Sequence, residues 1–299
     1  MQDLSIIILS YNTKEITQRC LNSLHKTLLS RTSKITYEII IIDNGSSDGS
    51  GDMLLQWKES NMNFSHPIQV VLNKKNTGFP KGNNQGFLIS NGRYILFSNS
   101  DIIWNDLSFE NLIAHLDRNK DIGALTVKVV LPNGKIDPAS HRGFPTIWNA
   151  FTYFFKLERI FGSIPLIGRA FGGYHLTYLD LSAIHEIDSP TGAFYLTRRE
   201  ILQRVGGFDE QFFMYGEDLD LSFRIKELGY KIIYYPLYSV THLKYASGLK
   251  TKDGRIKTLT KKYFFDAMVI FYRKHYEKHN LFIVNKFVYS IIHLKNILS

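Results

Sequence analysis

The stretch RYILFSNSDIIW, residues 93–104, decides the fold of this 299-residue chain. Its short apolar run, residues 94–97, ends abruptly in Asn99-Ser100-Asp101, and a second apolar pair follows. This pattern predicts a buried strand whose carboxyl end delivers a carboxylate into a crevice, which is where open α/β sheets bind ligands. Asp101 is therefore a candidate to hold a divalent cation against a diphosphate. Taken alone, the motif is more typical of a turn residue that caps a helix starting near Asp106, and the rest of the chain favours the cation site.

Four other apolar runs have the length of buried strands, at residues 4–9, 37–42, 68–72 and 123–131. Helical patterns lie between most of them. The first, after Thr13, places apolar side chains at helical spacing: Ile16, Cys20, Leu21, Leu24 and Leu28. Strands that alternate with helices predict an α/β fold with a mainly parallel, doubly wound sheet.

Composition limits the class of protein. The chain is 44% hydrophobic and 14% aromatic, which is typical of one large or two small globular domains. The single cysteine, Cys20, excludes an intramolecular disulfide and is expected to be a buried structural thiol. The N-terminus lacks a basic signal-peptide region, and no apolar stretch approaches the ~18 residues of a spanning helix. These features predict a cytoplasmic protein.

The positive charge is confined to one end of the chain. Residues 239–299 contain 12 Lys and Arg against 3 Asp and Glu, whereas the other 238 residues contain 24 of each sign. The whole net charge of +9 therefore belongs to the C-terminal fifth. This distribution indicates a local surface for an anionic partner.

Polar side chains at the strand ends fit a nucleotide. Tyr11 is suited to stacking, Asp43 to accepting a hydrogen bond from a base or ribose, and residues 76–79 to close backbone approach. The chain has no G-x-G-x-x-G after its first strand and no P-loop, which disfavours dinucleotide and P-loop sites. Each residue alone fits ordinary turn chemistry, but all of them fall at strand ends.

A second carboxylate centre follows an aromatic, glycine-containing run. Gly216 precedes a predicted helix that Gly229 ends, and Glu217, Asp218 and Asp220 crowd its first turn. The apolar positions of this helix are Leu221, Ile225 and Leu228. Stabilisation of the helix dipole explains one or two of the acids. A carboxylate at a helix N-terminus is expected to keep a low pKa, so that it is ionised and ready to act as a base.

These motifs together resemble the family 2 inverting glycosyltransferases of GT-A fold, most closely their bacterial rhamnosyltransferase-like branch. The matching stretches are SIIILSYN (5–12), IIIIDNGSSDGS (39–50), NTGFPKGNNQG (76–86), ILFSNSD (95–101), PTGAFYLTRRE (190–200), GGFDEQFFMYGEDLDLSFRIKELGY (206–230) and His242. The resemblance implies a Rossmann-like, mixed and mainly parallel sheet flanked by helices. It implies a catalytic domain over residues 1–245, with a nucleotide-binding half to about residue 130 and an acceptor half from about residue 131. Residues 246–299 would form a basic, amphipathic helical extension.

The resemblance also implies the nucleotide site. Asp43 looks like the residue that recognises the pyrimidine base, with Ser10 and Tyr11 lining its pocket. Asn76 and Gly78 look like the segment that closes over the nucleoside.

The resemblance likewise implies which residues contact the metal and the donor diphosphate, and which residue is the catalytic base. Asp101 looks like the last carboxylate of the D-x-D metal motif, and His242 like a further metal or diphosphate contact. The first Asp of that motif is Asn99 here, followed by Ser100, so metal affinity should rest more on the diphosphate and His242. An imidazole ligand favours Mn²⁺ over Mg²⁺ without excluding either. Asp218 matches the catalytic base, and Glu217 is its neighbour.

The expected function is inverting, metal-dependent transfer of a sugar, with rhamnose from dTDP-rhamnose as the best candidate, onto a saccharide acceptor in cell-surface polysaccharide biosynthesis. A UDP-hexose or UDP-galactofuranose donor is the alternative. A non-catalytic sugar-binding relative would be expected to lose Asp101 or Asp218, and both are present. A nucleic-acid partner is disfavoured, because the basic residues alternate with aliphatic stripes and no recognition module is visible.

Two further segments remain open. Residues 144–178 are crowded with aromatics, which suit either core packing or an acceptor lid or membrane-facing segment. In the C-terminal segment one helical stripe is apolar: Ile283, Phe287, Ile291, Leu294 and Leu298. Such a basic amphipathic helix predicts docking on the inner face of the cell membrane, beside a lipid-linked acceptor. The alternative is a helix packed on the catalytic domain.

Overall fold

The computed structural model describes residues 2–29, 35–61, 66–105, 107–244 and 254–298. The N-terminal part alternates strands with helices, as predicted. Its strands are β1 (Gln2–Ser10), β2 (Tyr37–Asp43), β3 (Ile68–Leu72) and β4 (Gly92–Asn99). Its helices are α1 (Lys14–Leu29), α2 (Ser50–Ser60) and α3 (Phe79–Ile89).

The second part has strands of three to twelve residues and more irregular connections. Its strands are β5 (Ile102–Trp104), β6 (Ile122–Val130), β7 (His185–Ile187), β8 (Phe194–Arg198) and β9 (Lys231–His242). Its helices are α4 (Phe109–Arg118), α5 (Ile147–Phe154), α6 (Leu157–Phe161), α7 (Gly168–Phe171), α8 (Arg199–Val205) and α9 (Glu217–Glu227). Two C-terminal helices follow, α10 (Gly254–His275) and α11 (Phe282–Leu298).

The described strands form one mixed sheet in the order β3-β2-β1-β4-β8-β6-β9-β5, with β7 beside β9. Strands β1 to β4 pair in parallel, as do β6 and β9. Strand β8 runs antiparallel between β4 and β6 and joins the two parts. The prediction of a mainly parallel sheet flanked by helices is confirmed. Strands β5, β7, β8 and β9 were not predicted.

The sheet is buried on both faces, which explains the continuous apolar runs of the central strands. Alternate residues of β1, such as Ile6 and Ile7, enter two different core clusters. Helix α1 covers one face with Cys20, Leu21 and Leu24. Burial raises the pKa of the Cys20 thiol to about 12, and Trp104 Nε1 donates to its sulfur at 3.4 Å. The prediction of a buried structural thiol is therefore confirmed.

Two predicted helix details were wrong. The helix expected near Asp106 begins at Phe109, because Ser108 is its cap and accepts from the Asn111 N–H at 3.3 Å. Asp106 itself lies outside the described residues. Leu228, expected on the buried face of α9, is 38% exposed because α9 ends there.

The C-terminal helices are not equally attached. Ala267 and Phe271 of α10 are buried against Phe212 and Leu219 of the catalytic part. Helix α11 buries only Asn285 and Ile292. The expected boundary at residues 245 and 246 lies outside the described residues. No helix in the described ranges is long and apolar enough to span a bilayer.

Candidate active site

A cavity of about 820 Å³ lies at the carboxyl ends of the parallel strands. Its lining includes three parts of the chain that contain predicted site residues: the loops after β1, β2 and β3, the turn between β4 and β5, and the turn before α9. The sequence predictions placed candidate residues in all three. The sheet thus brings nucleotide, metal and base candidates to one cavity.

The loops at the first end of the cavity are organised by Asn44, whose role the sequence did not reveal. Its Nδ2 donates to Asn76 Oδ1 at 3.0 Å and to Gly78 O at 3.1 Å. Its Oδ1 accepts from the Thr77 N–H at 3.1 Å. Asn76 and Gly78 are therefore held beside the end of β2, where both line the cavity.

Asp43 lies at the end of β2 and is buried, and its neighbour Asn44, not Asp43 itself, lines the cavity. Asp43 Oδ2 accepts from the Ser46 N–H at 3.0 Å, but its Oδ1 is buried without a hydrogen-bond partner. Tyr11 is 45% exposed and lines the cavity. Ser10, expected to line the pocket, instead lies beneath it. Its hydroxyl is fully buried in contact with those of Thr13 and Thr17, so it supports the loop.

Gly78 is required by a close approach of two loops. Its φ is +90°, and a Cβ at this position would lie 2.7 Å from Phe213 O. The Phe79 N–H also donates to Phe213 O at 2.8 Å. A side chain at residue 78 would therefore separate the nucleotide loop from the loop that leads to α9.

The register of the sheet brings Asp101 to His242. Strand β5 starts directly after Asp101 and pairs antiparallel with β9, so that Ile102 lies opposite His242. His242 Nε2 lies 3.1 Å from Asp101 Oδ1, and Asn99 Nδ2 lies 3.5 Å from the same nitrogen. Ser100 contacts Thr13 through their hydroxyls at 3.2 Å.

The opposite side of the His242 ring is held by Asp137, a fully buried residue that the sequence did not reveal. His242 Nδ1 donates to Asp137 Oδ2 at 2.8 Å, and Lys244 Nζ donates to Oδ1 at 2.7 Å. Burial opposes ionisation of Asp137, but these two partners lower its pKa to about 2. Burial likewise disfavours the charged imidazole, but Asp101 and Asp137 raise the pKa of His242 to about 9. The imidazole is thus fixed with Nε2 towards the cavity.

The donor atoms at this turn fit a divalent cation. No group of three or more His, Cys, Asp or Glu side chains within the described ranges forms a ready-made metal site. However, Asn99 Oδ1 is buried without a hydrogen-bond partner, while Nδ2 of the same amide faces His242 Nε2. Once a cation displaces the proton of His242 Nε2, Asn99 Oδ1, the Asp101 carboxylate and this nitrogen would give two oxygen donors and one nitrogen, which leaves coordination positions for diphosphate oxygens.

Asp218 is held rigidly at the other side of the cavity. Arg142 Nη2 donates to Asp218 Oδ2 at 2.7 Å and to Pro190 O at 2.8 Å, and both side chains of the ion pair are 10% exposed. The backbone N–H groups of Leu219 and Gly192 donate to Oδ1 and Oδ2 at 2.8 and 3.3 Å. Asp218 is therefore positioned by three donors before any substrate binds.

A family model described as Glycosyl transferase family 2 matches residues 5–181, which is more than half of the chain. The chain belongs to glycosyl transferase family 2. A second model, Glycosyl transferase family group 2, matches residues 171–275 and so includes α9 and α10.

Two curated relatives of this glycosyltransferase match most of its length. The N-acetylglucosaminyl-diphospho-decaprenol L-rhamnosyltransferase of Mycobacterium tuberculosis is 24% identical over 265 residues, covering 81% of this chain and 76% of the relative. The O-antigen biosynthesis protein RfbC of Myxococcus xanthus is 26% identical over 219 residues, covering 71% of this chain. The chain spans only 15% of the length of that second protein.

Among solved structures, the mannosyltransferase PcManGT of Pyrobaculum calidifontis, in complex with GDP-Man and Mn²⁺, superimposes with a TM-score of 0.58. The two sequences are 16% identical, and the match covers 99% of this chain and 73% of that one. This similarity supports the GT-A fold of the glycosyltransferase.

Glu217 differs from the expectation for a carboxylate in the first turn of a helix. Burial and the charge of the neighbouring Asp218 raise the pKa of Glu217 to about 8, whereas a low pKa was predicted. Its Oε2 is buried without a hydrogen-bond partner, and the residue lines the cavity. Desolvation outweighs the helix dipole here, so Glu217 is mostly protonated at neutral pH in the ligand-free glycosyltransferase.

Asp220, the third acid of this turn, faces away from the cavity. Its carboxylate contacts Arg224 at 2.7 Å, His275 at 2.8 Å and Lys274 at 2.7 Å. Burial opposes its ionisation, but these partners lower the pKa of Asp220. The residue therefore attaches α10 to α9, and the three acids have three different surroundings.

Sequence reasoning missed three residues of the site for different reasons. Asn44 lies inside the quoted DNGSSDGS run, so its position was in view but its contacts were not. Asp137 precedes Pro138 and reads as a turn residue, which it also is, since it caps a short 3₁₀ helix. Arg142 gives no sequence signal, because its importance comes entirely from a partner 76 positions away.

Proposed function

We propose that this glycosyltransferase moves a sugar from a nucleotide-diphosphate donor to a saccharide acceptor with inversion at the anomeric carbon. One observation carries the proposal: Asp101 with His242 and Asp218 line the same cavity, which also includes the nucleotide loops. Inverting transfer requires a group that stabilises the departing diphosphate and a base that reaches the acceptor, both around one sugar.

The nucleoside end would be bound by residues 1–130. The unpartnered Asp43 Oδ1 would accept a hydrogen bond from a pyrimidine N–H, and Tyr11 would stack on the base or ribose. Asn76 and Gly78 would close over the nucleoside, held there by Asn44. Ser10 would act only as support for this loop.

Asn99, Asp101 and His242 would hold Mn²⁺ or Mg²⁺ together with the donor diphosphate. Once bound, the cation would supply electrostatic stabilisation for the charge that develops on the leaving diphosphate. The surrounding residues hold these donor atoms in place before a cation binds. Asp137 fixes the His242 ring from behind, and Ser100 ties the turn to Thr13.

Asp218 would act as the general base. As the acceptor oxygen bonds to the anomeric carbon, its hydroxyl proton passes to the Asp218 carboxylate, and the bond from that carbon to the diphosphate oxygen breaks. Attack from the face opposite the leaving group inverts the configuration. Arg142 and two backbone N–H groups orient the carboxylate for this transfer. Because Glu217 would be protonated, it would not add a second negative charge next to that of Asp218.

The donor and acceptor follow from the relatives. The mycobacterial relative is named as a rhamnosyltransferase acting on a diphospho-decaprenol, and the Myxococcus relative as an O-antigen biosynthesis protein. We therefore infer dTDP-rhamnose as the donor and a lipid-linked saccharide of a cell-surface polysaccharide as the acceptor. A UDP-hexose or UDP-galactofuranose remains the alternative donor. Residues 131–245 would bind the acceptor.

Docking on an anionic membrane surface would bring the enzyme to such an acceptor. Four of the five residues in the apolar stripe of α11, Ile283, Phe287, Leu294 and Leu298, are 55–74% exposed. The structure therefore supports the interfacial interpretation over packing of this stripe on the catalytic part. The inner face of the cell membrane is the proposed location.

A thermal-shift panel of dTDP- and UDP-sugars, each with and without Mn²⁺, tests the proposed donor. A ligand that binds only the folded state raises its melting temperature. We expect dTDP-rhamnose with Mn²⁺ to give the largest shift. A larger shift with a UDP-sugar would select the alternative donor, and no shift with any member would contradict a nucleotide-sugar function.

Chelation tests the metal assignment separately. Excess chelator should stop donor turnover, and Asp101→Ala should weaken nucleotide-diphosphate binding, because the variant removes the charged oxygen donor. Asp52→Ala, an exposed change on α2, is the matched control. Full turnover in excess chelator would show that the Asn99-Ser100-Asp101 turn works without a metal.

A further inference from the structure

The cavity does not end at Asp218 but continues between α5 and the C-terminal helices. Here its walls are almost entirely apolar. We call this part the apolar groove and define it by Phe151, Phe154, Phe155, Met268, Phe287 and Ile291. Phe151, Phe155 and Phe287 remain 40–62% exposed, although each faces a concave surface. A nucleotide and a sugar are both polar, so neither explains these walls.

A basic side chain lies at the groove. Lys295 Nζ is 5.5 Å from the ring centre of Phe154 and 5.8 Å from that of Phe155. Within the described part of the chain no acidic side chain forms an ion pair with Lys295. A cation beside apolar walls is complementary to an amphiphile whose anionic head group is next to a hydrocarbon chain.

The groove is continuous at both ends with surfaces that such a ligand would need. One end opens into the catalytic part of the cavity, at Asp218. At the other end, Phe287 belongs both to the groove and to the exposed apolar stripe of α11. A chain lying in the groove could therefore reach from the base to an apolar exterior such as a bilayer.

We propose that the apolar groove binds the prenyl chain of a lipid-diphosphate acceptor, with Lys295 beside its diphosphate. This inference rests on the proposed function, since it places the acceptor sugar at Asp218. It adds that the enzyme recognises its acceptor by the lipid as well as by the saccharide. Helices α5 and α11 are then the two walls that determine acceptor specificity.

The inference predicts a dependence on chain length that a polar acceptor site would not show. Each methylene group transferred from water into the groove should increase affinity about fourfold. Farnesyl diphosphate should therefore bind at least about tenfold more tightly than isopentenyl diphosphate, with geranyl diphosphate between them. Trp148, which stacks on Phe151 at 5.6 Å, should report binding by a change in its fluorescence.

The test titrates the full-length protein with these three prenyl diphosphates by calorimetry, in saturating dTDP, UDP and Mn²⁺ so that the donor site is filled. Phe151→Ser combined with Phe287→Ser should remove most of the chain-length dependence. Leu298→Ser, on α11 but outside the groove, should leave it unchanged. Lys295→Gln should weaken all three ligands by a similar factor, because it removes a contact to the shared diphosphate.

Three results would overturn the inference. The first is an affinity that does not depend on chain length, and the second is an equal loss of the chain-length dependence in Leu298→Ser and in the double variant. The third is prenyl-diphosphate binding that disappears when the donor site is filled. The proposed function fails by a different result. If no nucleotide sugar binds but the chain-length dependence persists, the groove stands and the donor assignment is wrong. Melting temperatures of the variants near that of the wild type exclude unfolding as the cause.

Discussion

Two neighbouring carboxylates at the start of α9 have different surroundings, and these decide their roles. Asp218 accepts hydrogen bonds from Arg142 and two backbone N–H groups. Glu217 has an unpartnered Oε2 and a pKa raised to about 8. The carboxylate of Asp218 is oriented by these three donors and is suited to be the base, whereas Glu217 is suited to remain protonated.

Arg142→Met should therefore impair catalysis through Asp218. We expect donor turnover to fall by about 10²-fold, since the carboxylate loses its fixed orientation, while nucleotide binding is unchanged. Arg142→Lys should restore part of the rate. The same loss in the exposed variant Arg159→Met, or no recovery of rate in Arg142→Lys, would contradict a positioning role.

Glu217 should make the stability of the ligand-free protein depend on pH. An ordinary glutamate releases its proton near pH 4.5. In the folded protein, Glu217 keeps its proton up to about pH 8. The free energy of unfolding should therefore fall as pH rises from about 4.5 to 8. Glu217→Gln removes this contribution and should be more stable than the wild type at pH 8, by on the order of 3 kcal/mol.

Urea unfolding of both proteins at several pH values measures this difference. The difference in stability should be small at pH 4.5 and grow towards pH 8. A constant difference across this range would show that Glu217 titrates normally in the folded protein.

At this scale the sequence predicted the residues that belong to motifs but not their partners. Asp101, His242 and Asp218 were identified, and the structure places all three around one cavity. Asp137 and Arg142 were not, because they lie in irregular segments and matter only through contacts made by the tertiary fold. The low pKa expected for Glu217 was wrong because burial outweighs the helix dipole.

Among the elements, α10 and α11 serve different purposes despite their similar basic, amphipathic sequences. Asp220 binds Lys274 and His275, and these contacts hold α10 to the catalytic part. Helix α11 is attached mainly through Asn285, which accepts from Tyr272 OH at 2.7 Å and donates to Glu277 O at 3.0 Å. The exposed apolar face of α11 is thus available for a membrane surface.

Removal of residues 281–299 should free the protein from anionic vesicles and leave nucleotide-sugar binding intact. Each basic residue near an anionic surface contributes about 1 kcal/mol, and the apolar face adds insertion. Binding of the intact protein should weaken with salt but not vanish, because only the electrostatic part is screened.

Vesicle sedimentation at low and high salt measures this binding. Lys286→Gln with Lys295→Gln is a useful comparison, since it should reduce the salt-sensitive part of the binding and keep the apolar face. Unfolding of the truncated protein, or failure of the intact one to bind anionic vesicles at low salt, would instead make α11 a packing element.

Whether a strand could be predicted depended on its burial and regularity. Strands β1, β2 and β4 are buried on both faces and read as continuous apolar runs. Strand β8 is equally buried but ends in Thr197 and Arg198, whose polar groups bond to backbone carbonyls of β6 and its surroundings. The pairing of β9 with β6 is interrupted where Pro236 lies, and β5 and β7 have only three residues each.

For the whole molecule, the mixed sheet explains why distant motifs form one site. The parallel part delivers Asp43 and Asn99 at strand ends, and antiparallel pairing of β5 with β9 returns His242 to the same edge. Strand β8 joins the two parts by pairing with both β4 and β6. The central claim is that this cavity supports glycosyl transfer with Asp218 as its base.

Donor turnover by Asp218→Asn tests this claim most directly. The substitution keeps the shape of the side chain but removes the basic carboxylate, so release of nucleoside diphosphate from the nucleotide sugar selected by the thermal-shift panel should fall by at least about 10²-fold. The thermal shift with that donor and Mn²⁺ should remain near the wild-type value, and Asp52→Asn should retain full turnover. Turnover by Asp218→Asn close to that of the wild type would contradict the account.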